Sequence, residues 1–126
     1  MYVKLREIIF FFEYMTKPKI YYFNIADYKI YNQNEWQEAI NSDLYEKSDF
    51  LPIPQKDQDE IIIEYLLQKG NHRLIRAQKD DDFRHKFHWY TEGDDLVQEW
   101  KRFEKEALIK FATAWCEENN IIFTLG

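Results

Sequence analysis

Cysteine, glycine and proline are scarce in this chain, with one, three and three residues among 126. A lone thiol, Cys116, cannot close an internal disulfide and fits a reducing compartment. Three glycines leave no glycine-rich loop to cradle a phosphate, which excludes nucleotide sites of the familiar types. No apolar run approaches the roughly 18 residues that a membrane span requires. The run Ile8–Phe12 is short, bounded by Glu7 and Glu13, and does not read as a signal peptide. Positive charge is also in deficit. The 17 Lys and Arg against 23 Asp and Glu leave a net charge of −6. A field of that sign opposes binding to a phosphate backbone and favours solubility and basic partners. The expected location is the cytoplasm, with no membrane partner and no cofactor.

Aromatic residues, by contrast, are abundant: nine Tyr, ten Phe and four Trp make 18% of the chain. Disordered chains have few such rings and many breakers, so this chain is expected to fold. The length suits one domain, 1–126, with a core built from rings that each bury a large area. Within it, 1–48 reads as helix, hairpin and short helix, 49–56 as a proline-containing connector, and 57–126 as a helical core. Residues 3–16 have apolar positions near helical spacing, and Pro18 stops them. The β-formers Ile20–Phe23 and Tyr28–Tyr31 flank turn residues Asn24–Asp27, the pattern of a hairpin. Asn34 with Gln37 has the form of a capping box, as does Asp57 with Glu60. The second opens a helix closed at Gly70-Asn71. Short helices are expected over 72–79 and 80–90, broken at Thr91-Glu92-Gly93. The longest helix then starts at Asp94 or Asp95 and ends near Asn119-Asn120, with Leu96, Trp100, Phe103, Ala107, Leu108, Phe111, Ala114 and Trp115 on one broad stripe. Residues 121–125 form a strand or a packed tail. The fold class is α+β: a mainly helical single domain with a small N-terminal antiparallel β-hairpin, packed on the helices from Asp57 onward. Phe11, Ile62, Leu66, Phe83, Phe87, Trp100, Phe103, Phe111 and Trp115 are expected in the core.

The ordered set Leu51-Pro52-Ile53-Pro54, the helix Glu60–Leu67, Phe83-Arg84-x-x-Phe87, Trp100-x-x-Phe103, Trp115 and Glu118-x-x-Ile121 resembles the bacterial uncharacterised protein family 0158. Tyr21-Tyr22-Phe23-Asn24 and the amphipathic segment before it look like that family's first strand pair and leading helix. The resemblance spans nearly the whole chain and implies a divergent member. Asp81-Asp82 stands where members carry Gly-Ala, and Asn24–Tyr28 replaces an Asp-x-Glu-Thr-Gly turn. It implies a fold and no activity.

Chemistry-bearing residues are few. Asp81, His85, His88 and Glu92 are spaced by three and four, so on one helix they could offer metal ligands. A solvated face with acid–His pairs is the stronger reading. Arg73, Arg76, Lys79, Arg84 and Lys86 gather positive charge, a contact patch for RNA or an acidic partner with His88 or Tyr90 nearby to stack. Pairing with Asp80, Asp81, Asp82 and Glu92 is the plainer outcome. Arg84, between Phe83 and Phe87, reads as a structural arginine before a binding anchor. Cys116 is followed by Glu117 and Glu118, a setting for an inert thiol rather than a nucleophile. Tyr21, Tyr22, Tyr28 and Tyr31 in the hairpin offer contact area if exposed and packing if covered.

These residues support a non-enzymatic protein–protein interaction or regulatory module, immunity-like or antitoxin-like, with Tyr21, Tyr28, Tyr31, Arg73, Arg76, Arg84 and His88 as candidate binding residues. The alternatives are an RNA-associated regulator using 73–86, disfavoured by net charge, and a metal-dependent enzyme. The oligomeric expectation is a monomer or homodimer.

Overall fold

Tyr21 to Asn32 form the hairpin that their β-formers and turn residues predict. The computed structural model describes residues 1–13 and 19–125 and is mainly helical α+β. Two compact units divide the chain: Met1–Gln55 with Ile109–Gly126, and Lys56–Leu108.

In the first unit, β1 (Val3–Lys4) leads into a short helix α1 (Leu5–Ile8) and a 3-10 turn (Ile9–Phe12). The helix expected over 3–16 is therefore cut short at its start. Val3 and Lys4 pair in parallel with Phe123 and Thr124 instead, and backbone committed to a ladder cannot also enter a helix. The expected stop at Pro18 lies outside the described residues. β2 (Tyr21–Asn24) is the centre of a three-stranded antiparallel sheet, between β3 (Ile30–Asn32) and β4 (Phe50–Pro52). The buried Asn24 turns the hairpin: its Oδ1 accepts the backbone N–H of Ala26 at 2.7 Å and of Asp27 at 3.0 Å. Tyr28 completes the turn in the left-handed region at φ 59°. The cost to a side chain that size is offset by its N–H donating to the Asn24 carbonyl at 2.8 Å and its Oη accepting from Ile122 N at 3.2 Å.

Helix α2 (Gln33–Asn41) is capped two residues earlier than expected, at Asn32 rather than Asn34. Asn32 Oδ1 accepts from Glu35 N at 2.8 Å and Glu35 Oε1 from Asn32 N at 3.0 Å, a reciprocal capping box. The connector expected at 49–56 contains β4, an edge strand, where the ladder tolerates Pro52. β5 (Phe123–Thr124) settles the choice for the tail in favour of a strand.

The second unit begins with α3 (Gln58–Lys69), capped by Asp57 Oδ1 on Asp59 N at 2.9 Å. Gly70, at φ 70°, ends it in the left-handed conformation that glycine adopts freely. α4 (His72–Arg76) runs into a 3-10 turn (Ala77–Lys79), and α5 (Phe83–Gly93) follows with Asp82 as its cap residue. The break expected at Thr91-Glu92-Gly93 does not occur. Thr91 is buried, and its Oγ1 donates to the His88 carbonyl at 3.0 Å, a bond that lets Thr sit inside a helix. The chain turns at Asp95 instead, at φ 56°. α6 (Val97–Glu118) supplies its residues through Leu108 to this unit and those from Ile109 to the first.

Of the expected core, Ile62, Leu66, Phe83, Phe87 and Trp100 are buried, while Phe11, Phe103, Phe111 and Trp115 are half-buried. On the later part of α6 the buried stripe is Ala112 and Cys116, one position past Phe111 and Trp115. In the first unit Phe12 is fully buried, edge-on to Phe111 at 5.7 Å and Trp115 at 5.4 Å. In the second, Tyr65 is ringed by Phe103, Trp100 and Phe87 at 5.2, 5.5 and 6.1 Å. Such edge-to-face contacts add to the area that the rings bury. Among the described residues, no helix is long and apolar enough to cross a membrane.

Candidate functional site

The second unit carries a groove of about 510 Å³ lined by α4, the turn after it and α5. Its position follows from how α5 is buried. Phe83, Phe87 and Thr91 recur every four residues and form the buried stripe. At about 100° per residue, position 89 lies on the opposite side of the helix from Phe87. Trp89 is accordingly 66% exposed, high for a ring of its size. Lys86, Trp89 and Tyr90, at steps of three and four, line the groove from α5, and Arg73, Leu74 and Ala77 line it from the other side. The site is therefore a largely apolar trough with two large rings, Trp89 and Tyr90, and two cations.

The two cations differ in what they have left to offer. Lys86 Nζ is 2.9 Å from Asp80 Oδ2 and 3.3 Å from Asp82 Oδ1, and these two carboxylates raise its pKa. Arg73 is exposed and has no ion pair among the described residues, and the same holds for Arg76 and Lys79. Arg84 Nε lies 2.9 Å from Asp59 Oδ1 in the first turn of α3, which makes it the structural arginine that the stronger reading describes. Two of the five cations of the expected basic patch are thus internally paired, Lys86 with the neighbouring acids and Arg84 with Asp59 of α3, and Arg73 is the unpaired cation that reaches the groove.

Asp81, His85, His88 and Glu92 are not brought together as ligands. Asp81 precedes the start of α5, so its four-residue register with His85 is lost. Both histidines are exposed, and His85 faces Trp89 at a centroid distance of 6.4 Å. Among the described residues, no three His, Cys, Asp or Glu side chains group to hold a metal ion.

The hairpin tyrosines are half-buried and occupied. Tyr21 sits edge-on to Phe11 at 4.8 Å, Tyr22 stacks on Trp36 at 4.6 Å, and Tyr28 meets Phe23 at 5.2 Å. Tyr31 packs on Phe50 at 5.1 Å, and its hydroxyl donates to Asp27 Oδ2 at 2.5 Å. Burial, then Asp27, raises the Tyr31 pKa well above the ordinary tyrosine range. These rings build the first unit and leave no open tyrosine row.

Cys116 is fully buried, and burial followed by the charge of Glu117 pushes its pKa from 9.0 to about 11. A folded-state value above the unfolded one means that the neutral thiol favours the fold fully below pH 9, and that this contribution is lost as pH rises to 11. Two results are expected. The native thiol stays unlabelled by Ellman's reagent until the chain unfolds, and the urea midpoint falls more between pH 8 and 10 for the native chain than for Cys116→Ala. Labelling as fast as that of a free thiol would refute the burial.

No family model matches the chain, and neither a curated protein nor a solved structure matches it. The resemblance to family 0158 rests on the residue pattern alone.

Proposed function

We propose that the chain is a non-enzymatic interaction module whose contact surface is the groove between α4 and α5. The observation that carries this reading is Trp89, a tryptophan exposed beside an unpaired arginine and a tyrosine. Tryptophan, tyrosine and arginine are the residues that most often dominate binding energy at protein interfaces. An exposed tryptophan costs solvation in the free protein and gains by being covered. The inert thiol and the dispersed histidines add no reacting group to the groove.

The test is capture of partners by the tagged chain from nuclease-treated lysate, with Trp89→Ala in parallel. Trp89 is exposed, so the variant is expected to melt within about 0.5 kcal/mol of the native chain. A protein held by the native chain and lost with Trp89→Ala supports the reading. The same set of proteins held by both chains overturns it. Partners that vanish on nuclease treatment would favour the RNA-associated alternative through Arg73, Arg76 and Lys79.

A further inference from the structure

We propose that the α4–α5 groove receives an acidic segment of a partner protein, with a bulky apolar side chain against Trp89, Leu74 and Ala77 and a neighbouring carboxylate on the Arg73 guanidinium. This rests on the interaction-module reading and adds the chemistry of the partner.

Charge complementarity carries the choice. The chain is acidic as a whole, yet between Asn71 and Tyr90 five Lys and Arg stand against three Asp. Two of the five are satisfied within the fold: Arg84 by Asp59, Lys86 by Asp80 and Asp82. Arg73 is left as the unpaired cation on a largely apolar trough. A guanidinium presents a planar fork of donors that matches a carboxylate with two parallel bonds. The groove therefore offers one anion position beside an apolar one. An acidic residue next to a large apolar residue fills both.

The same arrangement argues against a polynucleotide. Phosphate backbones bind through several cations at once, whereas the groove supplies one that is not already paired, and the net charge of −6 repels a polyanion. A short acidic segment carries far less charge into that field. The volume, about 510 Å³, is of the size that encloses a small ligand or one or two large side chains.

Selection of short random peptides on the full chain tests the proposal, followed by affinities for native, Trp89→Ala, Arg73→Lys and Arg73→Glu chains. Both positions are exposed, and circular dichroism confirms that each variant is folded. The expected result is enrichment of Asp or Glu beside Trp, Phe or Leu. Arg73→Glu then weakens binding by about tenfold or more, Arg73→Lys weakens it less because the charge stays while the paired bonds are lost, and a peptide with Lys for its acid regains affinity for Arg73→Glu. Selected peptides that are neutral, insensitive to Arg73→Glu and lost with Trp89→Ala would overturn the acidic partner and leave the groove as a contact surface. Peptides indifferent to both positions, or no selected peptide, would overturn both. Displacement of the peptide by oligouridylate that itself binds with steep salt dependence would overturn the acidic partner in favour of RNA.

Discussion

Trp100→Ala is expected to lower the unfolding free energy by about 3–5 kcal/mol, the range for emptying a buried aromatic site. Trp100 is 6% exposed and lies at the meeting point of α3, α5 and α6 in the second unit. Its ring is edge-on to Phe87 at 4.8 Å and to Tyr65 at 5.5 Å, and stacks over Phe103 at 6.5 Å. Removing it leaves those three rings facing a void that cannot refill without moving a helix. Tyr65 is further held by its hydroxyl, which donates to Glu99 Oε1 at 3.2 Å, and Lys69 pairs with the same carboxylate. The site is thus restrained from collapsing, which places the loss toward the upper part of the range. Urea melts of Trp100→Ala beside Trp89→Ala make the measurement internally controlled, since both remove the same atoms. A difference under about 1 kcal/mol between them would show that burial does not distinguish the two sites.

The elements legible in the sequence are those with a strong local signal. The hairpin, α3 with its glycine stop, the short helix after it and the long α6 lie where periodicity and breakers put them, while α5 runs on through its expected break to Gly93. What escaped was decided by pairing partners distant in sequence. Val3 and Lys4 belong to a helical pattern locally and become a strand because Phe123 and Thr124 are beside them. Phe50–Pro52 looks like a connector because of its prolines and becomes an edge strand through β2. The local pattern put the cap of α2 at Asn34, and the structure puts it at Asn32. The end of the β2–β3 ladder at Asn32 chose between them.

The site was legible in part. The charge pattern pointed to pairing with Asp80, Asp81, Asp82 and Glu92, and Lys86 is paired in that way, with Asp80 and Asp82, whereas Arg84 pairs with Asp59 instead. It could not say which cation would be left over, because that depends on Asp59 reaching Arg84 from α3. Trp89 was missed although its signal is local: with Phe83 and Phe87 assigned to the core, a helical projection places 89 on the open side. The tyrosines were weighed between an exposed row and packing under cover, and the hairpin's own pattern does not name what covers them. Their cover comes from Phe11, Trp36 and Phe50, residues outside the hairpin itself.

That cover gives the second large effect. Phe23→Ala is expected to cost about 3–5 kcal/mol and to loosen the hairpin as a whole. Phe23 is fully buried at the centre of β2, paired with Ile30 on one side and Leu51 on the other. Its ring meets Tyr28 at 5.2 Å and Trp115 at 6.1 Å. Tyr28 holds a left-handed backbone against its own steric preference, and the Phe23 ring is one of the contacts that keep it there. Without that ring the turn residue has less to offset its strain. The next residue, Asn24, has a buried Nδ2 with no partner among the described residues, a deficit that a tight turn tolerates and a loosened one releases to water. The signature to look for is therefore local as well as global: faster amide exchange at Ala26, Asp27 and Ile122, whose N–H groups depend on Asn24 and Tyr28, together with the lower melt. Tyr22→Ala, which removes a half-buried ring stacked on Trp36, should cost less and leave those three amides protected. Equal losses from the two variants would mean that the sheet is not organised around Phe23. Since the α4–α5 groove shares no residue with this sheet, neither variant, while folded, should change capture of a partner that depends on Trp89.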